Sequence, residues 1–234
     1  MARLAGRAKS AMLAAMAKTP SPRERRRIGE IFDRFAARTP DPRTELAYAT
    51  PFTLLVAVVL SAQATDVSVN KATARLYAVA DTPAAMVALG EAGLIPFIAS
   101  IGLFRTKARN VVALSRLLLD RHGGEVPLSR AALEALPGVG RKTAGVMLNE
   151  LGVEAAIAVD THVFRVAHRL KLSAGKNPGA VEGDLMRVVP PARRTRAHHW
   201  LILHGRYVCI ARRPKCEACV VADLCPSREL FTGG

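Results

Sequence analysis

The nine residues Leu136-Pro137-Gly138-Val139-Gly140-Arg141-Lys142-Thr143-Ala144 read as a helix end, a glycine hairpin and a helix start. Ahead of them, Arg130 to Leu136 has a helical pattern. Ser129 stands as its N-cap, with Leu128 and Leu133 at the positions of a hydrophobic staple. Pro137 cannot continue that helix, because it has no N–H to donate and its ring clashes with the preceding turn. Gly138 and Gly140 flank Val139, so the valine can tuck inward while the glycines let a ligand approach bare backbone. Beyond them Ala144, Met147, Leu148 and Leu151 repeat at the spacing of a second helix. A glycine turn that opens a helix presents unpaired N–H groups and a positive dipole end, which suits a phosphate. The Gly-Lys-Ser/Thr triplet of a nucleotide P-loop is absent. A helix-hairpin-helix gripping a nucleic-acid backbone without reading bases fits these residues. An ordinary helix-turn-helix connection fits them too.

Charge narrows the choice. The 234 residues carry 34 Lys and Arg against 19 Asp and Glu, a formal charge of +15. Such an excess captures polyanions, which indicates nucleic acid without indicating chemistry. The 50% hydrophobic content excludes a disordered chain and suffices for one large or two small cores. The longest apolar run, around Leu54 to Leu60, is too short to cross a bilayer, so no membrane partner is expected. Residues 1–22 read as a basic extension. Arg3, Arg7 and Lys9 precede the apolar run Ala11 to Ala17, closed by Lys18, much as in a signal or transit peptide. Against export, the four cysteines are clustered rather than spread as a disulfide framework, which suits a reducing cytoplasm.

Periodicity and punctuation give helices throughout. Ser21 to Arg27 is a polar, basic opening, after which Ile28, Ile31, Phe32 and Phe35 repeat at helical spacing; Thr39-Pro40-Asp41-Pro42 is a linker. Thr50 and Pro51 read as N-cap and first helical residue. Phe52 to Leu60 is apolar nearly all round, and its β-branched residues allow either a helix or a buried strand. Further helices are expected from Thr65 or Asp66 to Tyr77, over Ala84 to Leu89, over Ile95 to Ile101 and over Lys107 to Arg121. Ile157-Ala158-Val159-Asp160 leads into another, Asn177-Pro178 opens the next, and Arg194 to Tyr207 forms the last. No stretch alternates as a strand would, so the fold class is all-α.

The chemistry-bearing residues come late. Cys209, Cys216, Cys219 and Cys225 form a C-x6-C-x2-C-x5-C array. Four neighbouring thiolates suit a tetrahedral zinc or an iron–sulfur cubane, and spacing alone leaves both open. Between the first two lie Arg212, Arg213 and Lys215, pinned by Pro214, a loop that a metal could shape to meet phosphates. Lys142 reads most simply as one more phosphate contact. As an alternative it is a nucleophilic amine, surrounded by the positive helix end and Arg141. Asp160 reads most simply as a helix cap. A fold that joins the two helix starts would pair an amine with a carboxylate.

Together these motifs closely resemble endonuclease III of the helix-hairpin-helix superfamily. The resemblance rests on residues 136–144, on Val159-Asp160-Thr161-His162 and on the cysteine array. Leu60-Ser61-Ala62-Gln63-Ala64-Thr65-Asp66 and His199-Trp200-Leu201-Ile202-Leu203-His204-Gly205-Arg206 add to it. It implies a six-helix barrel over 44–154 and a second domain of 23–43 plus 155–234, with damaged double-stranded DNA between them and a monomeric protein. It implies a [4Fe–4S] cluster on the four cysteines. It also implies a bifunctional glycosylase and lyase of oxidised pyrimidines, with Lys142 attacking C1′ and Asp160 assisting. Gly138, Val139, Gly140 and Arg141 would hold the DNA backbone, while Gln63 and Leu103 would fill the vacated stack. Their simpler readings are a loop amide and a core leucine. Gly145 stands where close relatives would carry asparagine, and Arg105 where a small polar residue is usual. Two rivals remain: a non-catalytic DNA-binding module, and an adenine-mismatch glycosylase. The lysine at 142 and the lack of a further domain after Gly234 speak against the second.

Overall fold

The computed structural model describes residues 20–232, so the basic extension lies outside the described residues except for its last three positions. Among the described residues eleven α-helices run in order: α1 Pro22–Arg38, α2 Pro51–Ser61, α3 Asp66–Tyr77, α4 Pro83–Ile98, α5 Phe104–His122, α6 Arg130–Glu134, α7 Arg141–Glu150, α8 Thr161–Arg169, α9 Pro178–Val188, α10 Arg194–Tyr207 and α11 Glu229–Thr232. Single 3-10 turns lie at Pro191–Arg193, Cys216–Ala218 and Ala222–Leu224, and no strand occurs among the described residues.

Side-chain oxygens start most of these helices. Ser21 and Glu24 form a reciprocal capping box at α1, with the Glu24 N–H donating to Ser21 Oγ at 3.2 Å and the Ser21 N–H to Glu24 Oε2 at 2.8 Å. The helix therefore begins within the basic stretch, earlier than its apolar spacing suggests. Thr50 with Thr53, Thr65, Thr82, Ser129, Asp160 and Asn177 cap α2, α3, α4, α6, α8 and α9.

The apolar stretch 52–60 is a helix. Every residue from Phe52 to Leu60 is buried, and α2 packs against α3, α5 and α7. Its valines cost a few tenths of a kcal/mol each in helix propensity, while each buried leucine or valine contributes roughly 1.5–3 kcal/mol. Burial wins. One hydrophobic cluster runs from Leu46 to Leu148 around this helix. A second joins α1 to α8, α9 and α10, with Ile31, Phe32, Val163, Val166, Leu185 and Leu201 at its centre.

Three boundaries differ from the sequence reading. The pieces expected at 84–89 and 95–101 abut in α4, broken at Gly90, whose φ of 66° and ψ of 175° no helix tolerates. α5 begins at Phe104 rather than Lys107, because Leu103 turns left-handed (φ 60°) and its carbonyl accepts the first helical bond from the Lys107 N–H. Leu128 is 60% exposed, so the staple rests on Leu133 alone.

Lys107 is not the solvent-facing end of a helix. It is 5% exposed, and its Nζ donates to the carbonyls of Leu60 (2.9 Å) and Ala62 (2.6 Å) at the end of α2. Burial pushes its ammonium below the usual lysine range, yet the helix-end carbonyls compensate the charge. Lys107 therefore fixes the loop that follows α2. Replacing it by methionine leaves two carbonyls without their donor. We expect Lys107→Met to lose about 1–3 kcal/mol of stability, read as a lower midpoint in urea denaturation.

Candidate active site

The hairpin supplies an open helix N-terminus. Gly138 has a φ of 80°, and a Cβ there would come within 3.0 Å of the Asn110 side chain, so the turn requires glycine. Val139 is buried and its N–H donates to the Leu136 carbonyl at 3.1 Å. Gly140 caps α7 without a side chain, and nothing lies within 4 Å of a Cβ placed on it. The first amides of α7 thus face outward with no capping oxygen. Arg141, one of the four residues expected to hold the DNA backbone, pairs with Glu182 of α9 at 2.9 Å. Its side chain is 67% exposed, and an exposed ion pair of this kind is weak enough for a phosphate to replace.

Lys142, one residue further on, is exposed and lines a small cavity with Ser61, Asp66, His198, His199 and Arg206. The cavity, about 50 Å³, holds only a few waters. Asp160 is half-buried at the start of α8. Its Oδ1 accepts from the His162 N–H (2.9 Å) and the Val163 N–H (2.8 Å), while Oδ2 accepts no hydrogen bond among the described residues. One oxygen holds the helix and the other is left without a hydrogen bond among the described residues.

The bridge between these two helix starts is His198. It is 4% exposed, sits against the Ala158 backbone, and feels both the Asp160 carboxylate and the Lys142 ammonium. Burial first, then the neighbouring His199, push its imidazole down to about 3, so the ring is neutral. Its Nδ1 is buried without a hydrogen-bond partner among the described residues. Beside it, His199 Nε2 lies 2.5 Å from Glu150 Oε1, a contact of proximity rather than of an aligned hydrogen bond. Arg206 closes the far side, donating to Asp66 and to Glu45.

Gln63 and Leu103 sit on adjoining loops. Both are exposed and both adopt left-handed backbone, at φ 55° and 60°; Leu103 is 61% exposed and belongs to no core. A Cβ on Gly102 would lie 3.9 Å from the Gln63 carbonyl, so the loops nearly touch. Left-handed backbone at a bulky residue is costly and marks a turn that presents its side chain. Gly145, in the middle of α7, faces Ala156 and Ala158 at ordinary contact distance for a Cβ, so the departure at 145 is not forced by space.

The four cysteines are free thiols lining one pocket, with Phe231 and Arg169 at its rim. Arg169 holds the loop: its guanidinium donates to Cys209 Sγ (3.4 Å), to the Ile210 carbonyl (2.7 Å) and to the Ala211 carbonyl (2.6 Å), and it stacks on Phe231. Four thiols lining one pocket supply the ligand set that an iron–sulfur cluster or a tetrahedral zinc takes. Arg212, Arg213 and Lys215 are exposed on this loop.

Comparison with known proteins agrees with this geometry. The HhH-GPD superfamily base excision DNA repair protein family matches residues 56–191. The chain belongs to that family. The iron–sulfur binding domain of endonuclease III matches residues 209–225, which contain all four cysteines, and the cofactor is a [4Fe–4S] cluster. Endonuclease III of Escherichia coli (strain K12) is 57% identical over 200 residues, covering 86% of this chain and 95% of the relative. A trapped endonuclease III–DNA covalent intermediate superposes with a TM-score of 0.82 at 43% identity, covering 88% of this chain and 97% of that one. A non-covalent endonuclease III–DNA complex gives a TM-score of 0.84 at 42% identity, over 90% and 99% of the two chains.

Within this HhH-GPD chain, sequence reasoning missed His198 and Lys107 and left Arg206 inside a motif with no role of its own. The sequence signal for His198 is weak: one of two adjacent histidines on an otherwise apolar stretch of helix. A protonation test follows from its environment. Between the ordinary histidine value near 6.5 and about 3, the unfolded chain binds a proton that the folded protein refuses. Stability therefore falls as pH drops through this window, by up to about 1.4 kcal/mol per pH unit from this residue. Denaturation midpoints from pH 7 to pH 5 should fall less steeply in His198→Gln than in the wild type; parallel slopes would remove His198 as the cause.

Proposed function

We propose that Lys142 is the nucleophile and Asp160 the assisting carboxylate of a bifunctional DNA glycosylase/AP lyase that removes oxidised pyrimidines from duplex DNA in base excision repair. The observation that carries these roles is the place of His198: the amine at one helix start, which lines a cavity with this histidine, and the carboxylate at another both lie within electrostatic reach of its buried ring.

The chemistry follows from these groups. The neutral Lys142 amine attacks C1′ of an extruded nucleotide, and the bond electrons leave with the base, which takes up a proton. The nitrogen loses one proton to Asp160. The C1′–O4′ bond of the sugar ring then breaks with O4′ taking up a proton, and the nitrogen lone pair closes the C1′=N bond of the protonated Schiff base. A proton then leaves C2′ and the C3′–O bond breaks, expelling the 3′ phosphate; water finally returns the lysine. Asp160, with Oδ2 uncommitted, accepts a proton from Lys142 and stabilises positive charge developing on the sugar. Extrusion gives access to a stacked nucleotide, and damaged bases cost less to extrude. Gln63 and Leu103, held on two adjoining loops, fill the space left in the stack. The α7 amides and Arg141 take the backbone phosphates on one side, with Arg212, Arg213 and Lys215 on the other. DNA would lie between the two hydrophobic units, taken as domains over 44–154 and over 23–43 plus 155–234. Cys209, Cys216, Cys219 and Cys225 would ligate the cluster, which when bound holds the basic loop in shape. All of these groups come from one copy, which favours a monomer, and a reducing cytoplasm suits the thiols. The solved complexes with trapped DNA intermediates support the covalent route for their own chains.

The test separates chemistry from folding. Borohydride should trap the wild type on a duplex carrying an oxidised pyrimidine, and Lys142→Gln should give no adduct. Asp160→Asn keeps a capping oxygen, since asparagine caps as well as aspartate, but loses the charge. It should retain its thermal midpoint within a few degrees while its single-turnover rate falls about 100- to 1,000-fold. An adduct with Lys142→Gln, or an unchanged rate with Asp160→Asn, would reject the assignment.

A further inference from the structure

We propose that His198 is a positioning residue for Lys142: the unpaired Nδ1 of its neutral ring accepts a hydrogen bond from the lysine amine and holds it beside Asp160. The inference deepens the reading above and rests on Lys142 being the nucleophile.

The argument starts from an unsatisfied atom. Nδ1 of His198 is buried with no partner among the described residues, and buried polar atoms without partners are rare enough to need an explanation. Lys142 is a donor whose charge already acts on the His198 ring. It lines the same cavity, is exposed, and ends a flexible four-carbon chain that no hydrogen bond restrains among the described residues. The groups facing His198 are charged on both sides: Lys142 on α7, Asp160 ahead of α8, and His199 on its own helix with Glu150 behind it. With the ring N–H at Nε2 donating to the Ala158 backbone, Nδ1 keeps a free lone pair.

A neutral acceptor does what a second carboxylate could not. Two carboxylates around the amine would favour its ammonium form, which has no lone pair with which to attack. Imidazole orients the amine through one hydrogen bond and adds no counter-charge. No bond is made or broken at His198; the proton that Lys142 loses goes to Asp160.

Three variants test this. His198→Asn places an amide oxygen near the Nδ1 position, His198→Gln places one near Nε2, and His198→Leu removes the acceptor at similar volume. The readouts are the single-turnover glycosylase rate and the dissociation constant for the same damaged duplex. His198→Leu and His198→Gln should lose about 10- to 100-fold in rate with the dissociation constant within about two-fold, and His198→Asn should recover most of the loss. Equal rates for Asn and Gln, or a loss that tracks the dissociation constant, would overturn the proposal. Should the leucine variant fail to fold, the Asn–Gln pair alone decides. Borohydride trapping of the wild type separates the two claims. A trapped wild type with unranked variants rejects only His198, whereas an untrapped wild type rejects the nucleophile itself.

Discussion

One buried amide joins the helix that starts beside Lys142 to the segments that carry His198 and Asp160. Asn149, in the last turn of α7, donates from Nδ2 to the Thr195 carbonyl of α10 at 2.9 Å, and its Oδ1 accepts the Ala156 N–H at 3.2 Å. The first bond fixes α7 to the helix that carries His198. The second fixes it to the extended segment that ends at Asp160. α7 is a ten-residue rod of roughly 15 Å, so pinning its last turn orients its first, where Lys142 stands. Removing this amide would orphan a buried carbonyl and a buried N–H together, which makes the joint expensive to lose and hard to shift.

Around that joint the protein manages charge by exclusion. The chain is strongly basic, yet the interior beside the lysine holds a neutral histidine. Asp66 and Glu45 are engaged by Arg206, and Asp160 commits one oxygen to the amides it caps. A positive surface gathers DNA from solution, whereas the attack itself needs an uncharged amine, and the two requirements are met by different residues. Lys107 makes the same division. Its charge is spent on helix-end carbonyls rather than on DNA, and it shapes the loops that present Gln63 and Leu103.

Much of this was legible in the sequence where the determinant is local. Caps at Thr50, Ser129 and Asn177, the glycine hairpin and the cysteine array all act within a few residues, so their spacing states their structure. The stretch 52–60 was ambiguous because a helix buried on all sides has no polar face to reveal its period. The break at Gly90, the left-handed turn at Leu103 that starts α5 and the burial of Lys107 escape the sequence for a different reason. A left-handed residue or a buried ammonium is decided by distant carbonyls and neighbours that no periodicity records. Arg141 shows the same limit from the other side, since its partner Glu182 lies 41 positions away. His198 could not be read at all until Ala158, Lys142 and its own empty nitrogen were placed together.

The most direct test of the account is to find which residue carries the covalent bond. Borohydride-reduced enzyme–DNA adduct, digested and sequenced by tandem mass spectrometry, should carry the deoxyribose remnant on Lys142 and nowhere else. A remnant on another lysine, or on the chain's N-terminal amine, would contradict the placement of the chemistry at the start of α7.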